Sequence, residues 1–480
     1  MKKIYKYCVI IFTSFSFIAC NQFLDVKPKG YTILENFKDY VELMEYAQMF
    51  KAGDSYPAFL TDDVLLASGN INANFTESQD HIKNLYSFAH GNIFSYNEND
   101  PYWNFTYSRI YTCNVVINGV MTSRGGNEQA KLTLQAEAKV ARAFEFLSLM
   151  SLYAPAYDHA KANTDWGIPL NYSEDVSLVK YERNTVEQVY QAIVKDLQEA
   201  LPYLKENAEH RFKPSKSVAY GFLARMYLMQ MKYDLALENA AKALTVSKEL
   251  IDMKEYMVLP DKSSGRIVKK NDKLVSYPVG QMSPENIYAR FEPYVFGNSE
   301  KVYASEDLLA IYSKDLPPKA IDKRLELWYS KNSFLKMQFE GYTMFVPYVY
   351  SNQGLTNQDV ILIAAEGYAR RGSAKDLEEA AKLYNLLRDN RIENNVHVNF
   401  TDKDSALLKV LEERRREFAM VGTYRLVDLK RLNKEAKFAK TISHTADGKT
   451  WTLPPNDNRY IMPIPPVVKG FRPDLPDYQR

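Results

Sequence analysis

The chain has 480 residues, of which 46% are hydrophobic and 25% charged, enough apolar matter for an ample globular core. Its 61 basic and 59 acidic residues leave a net charge of +2, and no basic block is long enough to track phosphates, which argues against nucleic acid. The unusual figure is 35 tyrosines. Their flat faces and polar tips suit sugar or peptide surfaces, although roughly two thirds are expected to fill grooves between helices.

The N-terminus reads as an address. Lys2, Lys3 and Lys6 precede an uncharged apolar run from Val9 to Ala19, and Cys20 follows. The run is too short to span a bilayer as a mature helix, so residues 1–19 are expected to be a signal peptide. Phe17, Ile18, Ala19 and Cys20 resemble a bacterial lipobox, with Phe17 where Leu is usual; on that reading Cys20 becomes the acylated first residue. The alternative is ordinary secretion with cleavage near Ala19. Cys8 leaves with the signal and Cys20 carries lipid, so Cys113 has no disulfide partner and reads as an inert core thiol.

Residues 20–33 read as an extended tether. A helix is expected over 34–50, where Leu34, Phe37, Val41, Met44 and Ala47 recur at period 3.6. Residues 51–100 lack any sustained period and read as a long irregular excursion. Helices return over 103–121 and 129–153, and a second loop covers 154–183. Thr185 and Gln188 form a capping-box pattern opening a helix to Leu204.

Residues 217–246 read as two helices joined by a tight turn near Lys232. Tyr220, Leu223, Ala224 and Tyr227 on the first, with Ala236, Ala240 and Ala243 on the second, fall at tetratricopeptide positions. The alanines permit close approach and the tyrosines fill the groove. Such a hairpin cannot bury its apolar face alone and demands stacked neighbours. After a third excursion, 251–355, with short apolar runs suited to small strands, helices are expected over 357–371 and 376–392, joined at Gly372 and Ser373. Ala365, Tyr368, Ala380, Tyr384 and Leu387 repeat the hairpin pattern. Two more helices, 405–420 and 424–437, precede an irregular tail. The expected fold is mostly α, a single domain over 34–480 displaying the three excursions.

Catalytic signatures are few. There is no His-Glu-x-x-His, Cys-x-x-Cys, Gly-x-Ser-x-Gly or phosphate-binding glycine loop, and the six histidines never pair at metal-ligand spacing. Asp62 and Asp63 are adjacent and read as a solvated turn, not a glycosidase pair. Glu412 to Glu417 read as scaffold electrostatics, with Glu412 and Arg416 as i,i+4 partners while Leu408, Leu411 and Phe418 address the core.

Several motifs in order resemble the SusD/RagB family of outer-membrane nutrient-binding lipoproteins. They are Cys20-Asn21-Gln22-Phe23-Leu24-Asp25 after the lipobox, residues 103–118, Glu137-Ala138 to Arg142-Ala143 with Leu152-Tyr153, and Gly167-Ile168-Pro169-Leu170. Residues 183–201, Asp322-Lys323-Arg324, Glu412 to Phe418 with Gly422 and residues 425–430, and Met462-Pro463-Ile464-Pro465 continue the series. The resemblance implies about four tetratricopeptide-like helix pairs, long irregular loops and a few short strands. It also implies a SusC-like TonB-dependent transporter as partner and a glycan, or sometimes a peptide, as ligand; the missing catalytic motifs lead to the expectation of no enzyme activity and no cofactor.

The candidate ligand residues are aromatic and polar side chains on the loops, because sugar C–H faces stack on rings and hydroxyls pair with amides. They are Asn72, Asn74, Phe75, Tyr86 and Tyr96 in the first excursion, and Tyr288, Tyr294, Phe296 and Trp328 in the third. Trp166 is a weaker candidate with an alternative structural role. The other function classes left open are a peptide binder and a lid on the transporter without a ligand of its own.

Overall fold

The computed structural model describes residues 34–66, 80–175, 181–259, 267–291, 303–330, 342–345 and 352–480. The helices are α1 (Phe37–Glu45), α2 (Asp80–Tyr86), α3 (Pro101–Gly119), α4 (Glu128–Tyr153), α5 (Val186–Ala200), α6 (Lys216–Met229) and α7 (Tyr233–Ala243). They continue as α8 (Glu306–Ser313), α9 (Lys323–Leu327), α10 (Asn357–Arg371), α11 (Ala374–Asp389), α12 (Lys403–Glu417), α13 (Tyr424–Leu432) and α14 (Pro466–Phe471). Strands of two to five residues lie between them, so the fold is mostly α with repeat-like helix pairs, as expected.

Local chemistry sets the helix ends. Asp100 accepts from the Tyr102 and Trp103 amides ahead of Pro101 and so starts α3. Thr185 and Gln188 form the capping box that opens α5. Gly372, at φ +75°, closes α10 in the left-handed region, and Ser373 immediately caps α11 by accepting from the Asp376 amide. Two residues thus reverse the chain.

The helices pack as a continuous series: α3 on α4, α4 on α5, α6 on α7, α7 on α10, and α10 on both α11 and α12. Ala224, Ala236, Ala240 and Ala243 are buried where α6 meets α7, while Tyr220 and Tyr227 are only partly buried at the groove edge. Between α7 and α10 the approach is closer still, since a Cβ on Gly367 would lie 2.7 Å from Leu237 Cβ.

The acidic and basic run on α12 belongs to the scaffold, but inside it. Arg414 bridges α12 to α10 through Asp359 (2.7 Å) and to α13 through Asp428 (3.0 Å). Arg431 of α13 holds Glu366 of α10 at 2.6 and 2.8 Å. Glu412 lies 3.9 Å from Arg416. Leu411 and Phe418 are buried, whereas Leu408 is exposed and does not address the core.

Two expectations need correcting. Asp62 and Asp63 are not a solvated turn but are buried, with Asp62 held by Arg425 (2.7 and 2.8 Å) and Asp63 by Arg415 (2.8 Å). The first excursion is likewise not displayed throughout: Ala58, Phe59, Leu60 and Val64 are core residues, and Tyr56 donates to Asp100 at 2.7 Å. A four-stranded antiparallel sheet in the order Val64–Leu65, Tyr303–Ala304, Met344–Phe345, Tyr329–Ser330 ties this segment to the third excursion.

Candidate functional site

Short helix α9 begins with Asp322, whose carboxylate accepts from the Arg324 amide. The Arg324 side chain is fully buried between Asp322 (2.6 Å), Glu413 (2.7 Å) and Glu417 (2.9 Å). Trp328 caps the other end by donating its backbone N–H to the Arg324 carbonyl at 2.8 Å. The ring is therefore positioned by a rigid ionic anchor, not by a free loop.

Trp328 lines a cleft with Tyr277, Phe345 and Phe418, alongside Glu285, Asn286, Asn352, Gln358 and Glu417. Two of its lining carboxylates share one guanidinium behind them, as Arg391 Nη2 meets Glu285 at 2.6 Å and Glu417 at 2.8 Å. Burial pushes the Glu285 carboxyl up from its usual range, against the pull of Arg391. Both carboxylates are thus engaged by one guanidinium and are not free to act as an acid and base pair. Among the described residues, two buried polar atoms of the lining side chains have no hydrogen-bond partner: the donor Trp328 Nε1 and the acceptor Gln358 Oε1. The cleft volume is 70 Å³, space for about five water molecules, so it seats a ring edge or substituent and not a whole oligosaccharide.

The sequence candidates separate sharply. Trp328 lines the cleft, and Tyr96 is 70% exposed but does not line it. Tyr86 and Tyr288 are fully buried and belong to the core. Tyr86 stacks on His444 with ring centroids 4.2 Å apart. Tyr288 packs edge-on against Phe222, with the Arg290 guanidinium 3.8 Å from its ring centre. Asn72, Asn74, Phe75, Tyr294, Phe296 and Cys20 lie outside the described residues. Trp166 packs on Tyr478 at 5.3 Å, consistent with its structural alternative. Sequence reasoning missed Tyr277, Phe345, Glu285 and Gln358; an aromatic before proline at Tyr277-Pro278 was the only local signal.

Among the described residues no group of three or more His, Cys, Asp and Glu side chains could hold a metal ion, and no helix is long and apolar enough to cross a membrane. A SusD-like family model, described as starch-binding and associating with the outer membrane, matches residues 22–228. The fold matches along nearly the whole chain. A Bacteroides thetaiotaomicron SusD superfamily protein superposes with a TM-score of 0.68 at 18% identity, covering 93% of this chain and 100% of its own.

The chain resembles the SusD-like family over residues 22–228 and shares the SusD superfamily fold.

A Bacteroides vulgatus structure gives a TM-score of 0.70 at 18% identity over 93% of this chain and 99% of that one. A second, described as a SusD-like carbohydrate binding protein, gives 0.65 at 17% identity, covering 92% and 97%. At these identities the likeness is one of fold. No curated protein matches the sequence significantly. The Trp328 cleft lies beyond the stretch matched by the family model, so its chemistry rests on its own geometry.

Proposed function

We propose that this SusD-like protein is a cell-surface lipoprotein that captures a carbohydrate and delivers it to a SusC-like TonB-dependent transporter. In this reading residues 1–19 are a signal peptide, lipidated Cys20 anchors the chain to the outer membrane, residues 20–33 are a tether, and 34–480 form one domain. The description of the family as starch-binding and of one structural relative as carbohydrate binding supports the ligand class.

The observation that carries the reading is the Trp328 cleft. Aromatic side chains there adjoin a donor, Trp328 Nε1, and an acceptor, Gln358 Oε1, each without a partner among the described residues. A sugar offers C–H faces to the rings, and its hydroxyls both donate and accept, so one ligand class answers all three features. The shallow seat implies modest affinity, since little surface is buried to offset the cost of association. The test is Trp328→Ala. Loss of glycan binding in a variant that still folds, with a lowered melting temperature from the lost packing, is expected, and retained binding would rule the cleft out.

A further inference from the structure

A second cleft also draws on the 280–287 segment, through Gln281, Met282 and Ile287. It is lined by Glu209, His210, Arg211, Ser215, Ser217, Gln281, Met282, Ile287 and Asn357, with a volume of 410 Å³, inside the range of about 300–1,000 Å³ typical of small-molecule sites. Unlike the Trp328 cleft, it has no Trp, Tyr or Phe in its lining among the described residues.

Three observations define what it would hold. Arg211 is anchored by its backbone, whose carbonyl accepts from the Ala289 amide at 2.7 Å, and its guanidinium donates to the Asn286 carbonyl. Among the described residues no carboxylate forms an ion pair with it. Glu209 in the same cleft is already engaged by Lys205 and by Lys213 (3.2 Å), and Glu249 exerts only a longer-range pull. Second, Asn357 is 1% exposed and its amide nitrogen is saturated, donating to Ser247 Oγ (3.3 Å), the Glu249 carbonyl (2.9 Å) and the Pro284 carbonyl (3.2 Å). That pattern fixes which amide atom is oxygen, and this Oδ1 has no partner among the described residues. Third, Ser215 and Ser217 place two hydroxyls 3.0 Å apart at the start of α6, and Ser215 makes no side-chain cap.

A guanidinium with no carboxylate partner among the described residues, and with donors left beyond its one carbonyl bond, recognises a carboxylate, while a buried amide oxygen wants a donor. A simple anion satisfies the first and is repelled by the second. We infer that this cleft is a separate subsite for an acidic sugar, whose carboxylate meets Arg211 while a ring hydroxyl donates to Asn357 Oδ1. The contrast with the Trp328 cleft is chemical, because that lining holds two carboxylates already paired with Arg391 and, among the described residues, no Arg or Lys.

The inference extends the carbohydrate-binding reading, yet its test is separable. Glucuronate, glucose and acetate are titrated into the full chain by calorimetry. Glucuronate is expected to bind, with glucose and acetate each weaker by about tenfold or more. Arg211→Gln should lose glucuronate by a similar factor, and Arg211→Lys should retain part of it, both with unchanged thermal melts. Equal binding of acetate and glucuronate, or an unaffected Arg211→Gln variant, would overturn the inference. Glucuronate binding alongside silence from every neutral glycan would support it while sinking the Trp328 reading.

Discussion

Glu366 is fully buried on α10, facing Arg370 at 2.8 Å and Arg431 at 2.6 Å. Burial alone would raise its pKa, but the two guanidinium groups outweigh it and hold the carboxyl at about 2. Glu413 behaves alike: burial is overcome by Arg324, Arg416 and Arg388, giving about 2. A depressed folded pKa stabilises above the unfolded value of about 4.3 and loses that stabilisation as pH falls toward 2. Asp100 runs the other way. Burial raises it to about 6 despite hydroxyl bonds from Tyr153 and Tyr56, so its contribution is full below about 3.9 and fades as pH rises through 6. Melting temperature should therefore fall steeply between pH 4.5 and 2. At pH 7, Glu366→Gln should cost about 3–5 kcal/mol by leaving buried arginines unpaired, and an unchanged denaturation midpoint would contradict this. None of this burial was legible at residue level. Asp62 and Asp63 looked like a turn, and Tyr86 and Tyr288 looked like Trp328, because partners 350 or more residues away decide such cases for Asp63 and Tyr86.

Helices were the legible elements. The expected 357–371 helix matches α10, because Gly372 and Ser373 are strong stop and start signals. Ends without such signals drifted: the helix expected over 424–437 stops at Leu432. The first excursion misled because its Gly-, Asn- and Asp-rich composition conceals a buried segment, 58–60, fixed by tertiary packing rather than by period. Close packing of elements makes two predictions. Gly367→Ala should destabilise by about 1–3 kcal/mol, since the new methyl meets Leu237 where neither helix can give way; an unchanged melting temperature would show that α7 and α10 can separate. Cys113 on α3 is buried and its thiol is pushed up to about 12, chiefly by burial. It should resist alkylation in the native protein and react only after denaturation, and rapid native labelling would contradict that packing.

At the scale of the molecule, the helical series and the small sheet act together. The sheet joins Val64–Leu65 to three strands of the third excursion, and Arg324 and Arg391 bind the Trp328 cleft to α12. The site is thus built where excursions meet the scaffold. Of the candidates named from sequence only Trp328 lines this cleft, since Tyr277, Trp328, Phe345 and Gln358 come from four separate segments that the fold brings together. The most direct test of the account is retardation of the purified protein in gels containing a panel of polysaccharides, with Trp328→Ala run alongside. The account predicts that one glycan class slows the wild-type protein and not the variant. Equal mobility in every glycan, or equal retardation of both proteins, would contradict it.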